Sequence, residues 1–105
     1  MIDIIHVMKT SAPSLLPILR SDLQGEVMAL LFSHPEQQYT VSQIADATRA
    51  SLPTVSREVN RLNQSGLVTV QNVGRTRMVQ AKVDNPVGQA MRQLILVTYG
   101  PVPVL

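Results

Sequence analysis

The stretch from Thr40 to Val68, TVSQIADATRASLPTVSREVNRLNQSGLV, restricts what this chain can fold into more than any other, because it reads as two short helices joined by a tight turn. The Thr40 hydroxyl caps the first helix while Gln43, three residues on, reaches back, the spacing of a reciprocal capping box. Ile44, Ala45 and Ala47 supply its apolar side, and the two alanines are small enough for a second helix to cross closely. After Arg49-Ala50 the chain caps again at Ser51, with Pro53 in the first turn, where its missing N–H costs nothing. Leu52, Val55, Val59 and Leu62 recur at intervals of three, four and three and predict one buried stripe. Thr54, Ser56, Arg57, Asn60 and Arg61 fall on the other side. Gly66 ends the helix in the position that favours a left-handed residue.

A helical hairpin of a structural bundle would satisfy the same apolar pattern, and the distribution of charge argues against it. Residues 49–82 hold Arg49, Arg57, Arg61, Arg75, Arg77 and Lys82 against Glu58 alone, a balance of +5. The remainder has three basic and six acidic residues, a balance of −3, so the net +2 conceals a polarised molecule. A basic face of this kind is the electrostatic footprint of a phosphate-binding surface.

The flanking segments build a frame around this stretch. Ser21 and Gln24 repeat the capping-box spacing, and Leu23, Val27, Leu30 and Leu31 then predict a scaffold helix over about 22–33, stopped by His34-Pro35. Gln38 to Thr40 is long enough only for a short strand. Beyond Gly66, Leu67 to Gln71 and Met78 to Val83 alternate apolar and polar around Asn72-Val73-Gly74-Arg75-Thr76, the pattern of a β-hairpin with Arg75 and Arg77 near its tip. Asp84 or Asn85 caps a last helix with Pro86 at its first position and Val87, Ala90, Met91, Leu94 and Val97 along one face, more apolar surface than such a core requires. Met1 to Met8 is compatible with a strand, a helical turn on a partner or a vector-derived start. Leu15, Leu16, Ile18 and Leu19 form a short packing segment broken by Pro17, and the end, from Tyr99 to Leu105, reads as a Pro-rich extended linker.

The segment IADATRASLPTVSREVNRLNQSGLV resembles the helix-turn-helix of winged-helix bacterial regulators of the ArsR and MarR type. The shared pattern is Ile-Ala in the first helix, a Ser before the second, Thr-Val-Ser-Arg, a Leu and Gly-Leu-Val. In those families the hairpin is the wing, and Gly74-Arg75 resembles the Gly-Arg frequent at its turn. The resemblance implies a mainly α fold with a small β-hairpin, a winged helix-turn-helix. It divides the chain into an arm with a short helix (1–20), the winged core (21–84, recognition helix about 52–64, wing about 67–83), a dimerisation helix (85–99) and a tail (100–105). It implies a sequence-specific transcriptional regulator that binds double-stranded DNA as a homodimer on a roughly palindromic site. The second helix would enter the major groove. Arg57 is the expected base reader, Thr54 and Ser56 phosphate ligands, and Ser51, Asn60, Arg61, Arg75, Thr76 and Arg77 complete the DNA-binding set, with the last three on the adjacent minor groove or its phosphates.

Composition narrows the alternatives. One Phe, two Tyr and no Trp leave an aliphatic core and no aromatic platform for stacking single-stranded bases. The absence of cysteine removes disulfides, thiolate catalysis and the thiolate sensing of metal-responsive ArsR members, and points to a cytoplasmic location. His6 and His34 lack a paired metal-ligand spacing, so neither metal nor cofactor is expected. No apolar run reaches the roughly 18 residues of a membrane span. No Ser-His-Asp set, paired carboxylates or Gly-rich phosphate loop stands out, which argues against an enzyme. Two other readings remain open: a DNA-targeting or regulatory front end of a larger protein, an enzyme included, and a winged helix used for protein contacts.

Overall fold

The computed structural model describes residues 21–100, so the arm over 1–20 and the tail over 101–105 lie outside the described residues. In chain order the elements are α1 (Asp22–Ser33), β1 (Tyr39–Thr40), α2 (Val41–Thr48), α3 (Leu52–Gln64), β2 (Val68–Val73), β3 (Thr76–Ala81) and α4 (Pro86–Tyr99). This is the mainly α winged helix-turn-helix that the sequence predicts.

The core forms on α1. Val27, Leu31 and Phe32 are fully buried and Met28, Ala29 and Leu30 nearly so, which makes this helix apolar all round and places it at the centre of the domain. Around it close Ile44 and Ala45 of α2, Val55, Val59 and Leu62 of α3, Val68 and Val79 of the hairpin and Ile95 of α4. At the start of α1 the Ser21 half of the expected capping box forms, Ser21 Oγ accepting from the Gln24 N–H at 3.2 Å, and the Gln24 side-chain Nε2 donates to buried Glu58.

Local chemistry sets the motif's boundaries. At α2 both halves of the capping box form, Gln43 N to Thr40 Oγ1 at 3.0 Å and Thr40 N to Gln43 Oε1 at 2.9 Å. Arg49 ends α2 in the left-handed region at φ 59, the one described residue other than glycine with positive φ. Ser51 caps α3, and Gly66, at φ 81, reverses the chain after it. Two apolar assignments are corrected. Ala47 is exposed, because a helix turns 200° over two residues and Ala45 already faces the core. Leu52 is 51% exposed, since the first position of α3 projects beyond the core and borders an open cleft.

The sheet has order β1-β3-β2, both pairings antiparallel. Val73 pairs with Thr76, so the strands run closer to the tip than the expected 72–76 loop allows, and only Gly74 and Arg75 make the turn. Gly74 stands at φ 63, which suits a two-residue hairpin with glycine in its first position.

The last helix divides its apolar residues differently from the single face expected. Gly88 and Ile95 are buried and Met91 and Tyr99 pack against the core, while Val87, Ala90, Leu94 and Val97 point outward on a neighbouring stripe. Burial, then the Asp22 and Glu26 carboxylates at the start of α1, raise the Tyr99 pKa and keep its phenol neutral where α4 ends.

Candidate nucleic-acid interface

Helix α3 presents two unlike faces. Val55, Glu58, Val59 and Leu62 are buried, whereas Arg57, Asn60 and Arg61 are exposed and Thr54 and Ser56 half-buried. The hydroxyl network at its start is local: Ser51 Oγ accepts from Thr54 N at 3.3 Å and lies 2.8 Å from Thr54 Oγ1. Arg57 Nη2 donates to Thr54 Oγ1 at 3.4 Å, a long contact to an uncharged acceptor that leaves most of its fork available to a partner.

The hairpin brings the distant basic residues to the same side. Arg75 and Thr76 are exposed at the tip. Arg77 folds back across α3, its Nη1 donating to Ser56 Oγ at 3.1 Å and its Nη2 to Asn60 Oδ1 at 2.8 Å. Between the wing and the N-termini of α2 and α3 lies an open cleft of about 450 Å³, bordered by Thr40, Ser42, Leu52, Ser56, Arg75 and Arg77. All nine residues singled out in the sequence therefore lie on α3 with its N-cap or on the wing, and the Arg77 bonds and the cleft join the two.

Glu58 is the residue that sequence reasoning missed. It counted only as the lone acid of a basic segment, yet it is 3% exposed beneath α3. Its Oε2 accepts from Gln24 Nε2 of α1 at 2.7 Å and its Oε1 from Arg61 Nη1 at 3.2 Å. The signal was present, because position 58 falls on the same helical face as Val55, Val59 and Leu62. Arg61 is thus partly neutralised from below. Gln24→Leu removes the buried donor and is expected to cost about 1.5–3 kcal/mol, read as a lower urea midpoint at unchanged slope.

Among the described residues no group of three or more His, Cys, Asp and Glu stands close enough to hold a metal. No described helix is long and apolar enough to cross a membrane.

Known proteins share this arrangement. The family model for bacterial regulatory proteins of the arsR family matches residues 26–70, from mid-α1 through α2, α3 and into β2. No curated protein matches the chain at comparable significance. Among solved structures, MepR of Staphylococcus aureus, a transcription regulator of the multidrug efflux pump MepA, superposes with a TM-score of 0.70 at 20% identity over 91% of this chain and 70% of that one. The S. aureus MepR–DNA complex gives 0.68 at 22% identity, covering 91% and 78%. Reduced HlyU from Vibrio cholerae N16961 gives 0.64 at 17% identity, covering 90% and 95%. The matched helix-turn-helix segment and the fold around it together show a winged helix-turn-helix domain, similar over residues 26–70 to bacterial regulatory proteins of the arsR family and in its fold to MepR.

Proposed function

We propose that this protein recognises a specific double-stranded DNA site as a homodimer, with α3 in the major groove and the wing on the flanking backbone or minor groove. The observation that carries the reading is the basic surface formed where Arg77 of the wing joins α3, in a chain whose segments outside 49–82 are together net acidic. Arg57 reads a base edge, since a guanidinium fork matches the two acceptors of guanine and lies near the N-terminal half of the helix. Thr54 and Ser51, at the helix start, and Thr76 and Arg75, at the wing tip, approach phosphates. MepR has been solved on DNA with this fold, which supports the same partner here.

The homodimer reading rests on α4. Val87 is 65% exposed, Leu94 37% and Val97 81%, and with Ala90 they are spaced three, four and three, the repeat of a helix-pairing seam. Binding, not catalysis, is the activity we assign, and its place is the cytoplasm, with the DNA.

Titration of mixed duplex DNA over a salt series tests the reading. Affinity is expected to fall with a log–log slope of about −4 to −8, as several neutralised phosphates on a dimer require. Arg57→Ala is expected to lose about 1–3 kcal/mol of discrimination at each half-site. A natural chain that binds no duplex at low salt would sink the proposal.

A further inference from the structure

The four arginines on the second helix of the motif and the wing divide by what they already hold. Arg57 and Arg75 are exposed, and Arg61 is tied to Glu58 on its own helix. Arg77 alone of the four joins two elements. It is half-buried on β3, and its two terminal nitrogens donate to acceptors four residues apart on α3, Ser56 Oγ and Asn60 Oδ1. Residues four apart lie one above the other on a helix face, so the pair forms a ladder parallel to the helix axis. A planar fork bonded to both rungs fixes translation along that axis and rotation about it together. A lysine, with one point charge on a flexible stem, fixes neither.

From this geometry we infer that Arg77 is a positioning residue for sequence discrimination: it locks the wing to α3, so that the helix meets the groove in one orientation. The inference rests on the DNA-binding reading above and assigns Arg77, Ser56 and Asn60 a role within the protein instead of at the duplex. With one N–H of each terminal nitrogen given to α3, the guanidinium plane is held against the helix and is not free to turn toward a phosphate. A helix held at one tilt keeps its side chains against one set of base edges, whereas a loosened helix binds many sequences through the phosphates alone.

Charge-conserving substitution separates this role from a phosphate contact. The measurement compares a duplex selected by the natural chain from a random pool with a scrambled duplex, over a salt series. Arg77→Lys is expected to keep the affinity for the scrambled duplex and the salt slope, and to lose tenfold or more of the preference for the selected one. Arg77→Ala is expected to lose the same preference with the slope still unchanged, and addition of Asn60→Ala to either to cost little more, as in a coupled pair. Arg75→Ala, by contrast, lowers the slope by about one per protomer.

The inference is overturned if Arg77→Lys discriminates as the natural chain does, or if Arg77→Ala lowers the slope as Arg75→Ala does. It is likewise overturned if the Arg77 and Asn60 losses simply add. A natural chain that selects no duplex defeats the DNA-binding reading itself, and the inference with it; that outcome appears in the natural chain's own titration, before any variant is compared.

Discussion

Gly88→Ala is expected to be the most destabilising single methyl in the described structure. Gly88 sits in the first turn of α4, where the helix passes over the end of the wing, and its backbone is capped by Asn85 Oδ1, which accepts from the Gly88 N–H at 2.8 Å. An added Cβ collides with the Lys82 carbonyl group, with the carbonyl carbon at 2.9 Å and Val83 Cα at 3.0 Å. These are backbone atoms, so no rotamer change relieves the contact. The start of α4 must lift, and that strains the Asn85 cap and the burial of Ile95, which is fully enclosed between α4 and the core. Overpacking of this severity costs about 3 kcal/mol, at the upper end of the usual range. For a domain of this size that lowers the thermal midpoint by about 12 °C or more. A midpoint within about 3 °C of the natural chain would mean that α4 slides off the wing without resistance.

The second large effect concerns assembly. Val97 is 81% exposed, so Val97→Glu leaves the monomer's packing untouched and keeps its helical circular dichroism. If the outward stripe of α4 pairs two chains, a carboxylate there is buried without a partner and the pair separates. The solution mass is expected to drop from two chains to one. Affinity for a duplex with two half-sites is expected to fall about 100-fold or more, because the second recognition helix no longer binds at the effective concentration its partner provides. Light scattering and a titration on one-half-site and two-half-site duplexes check both. A natural chain that is monomeric, or a variant that stays paired, would exclude α4 as the seam.

Those parts of the fold that depend on neighbours three or four residues away were legible in the sequence. The Thr40–Gln43 box, the Ser51 cap with Pro53 behind it and the Gly66 reversal all act within one helical turn, and the residue types name the geometry. What escaped depends on partners brought close by docking. The Gln24 side chain donates to Glu58, 34 positions on, and Arg77 finds acceptors 17 and 21 positions away. Periodicity likewise grouped Met91 with Val87, Ala90, Leu94 and Val97, because apolarity alone does not tell a core-facing stripe from a neighbouring one awaiting a partner. The nine residues expected at DNA could be named together from the sequence and lie on α3 with its N-cap or on the wing, since charge and helix face are local properties. How they divide between reading the duplex and holding the protein in shape is a matter of contacts across elements.

The middle position of β3 has a mechanical consequence. On one side it pairs Val79 and Met78 with Tyr39 and Thr40, and Thr40 is the residue that caps α2; from its outer end Arg77 grips α3. One strand is therefore a crossbar fastened to both helices of the motif. A duplex whose minor groove displaced the wing tip would have to tilt both helices with it. In such an encounter the stiffer body is the protein, and the sequences it favours are those whose grooves already have its shape or deform to it at small elastic cost.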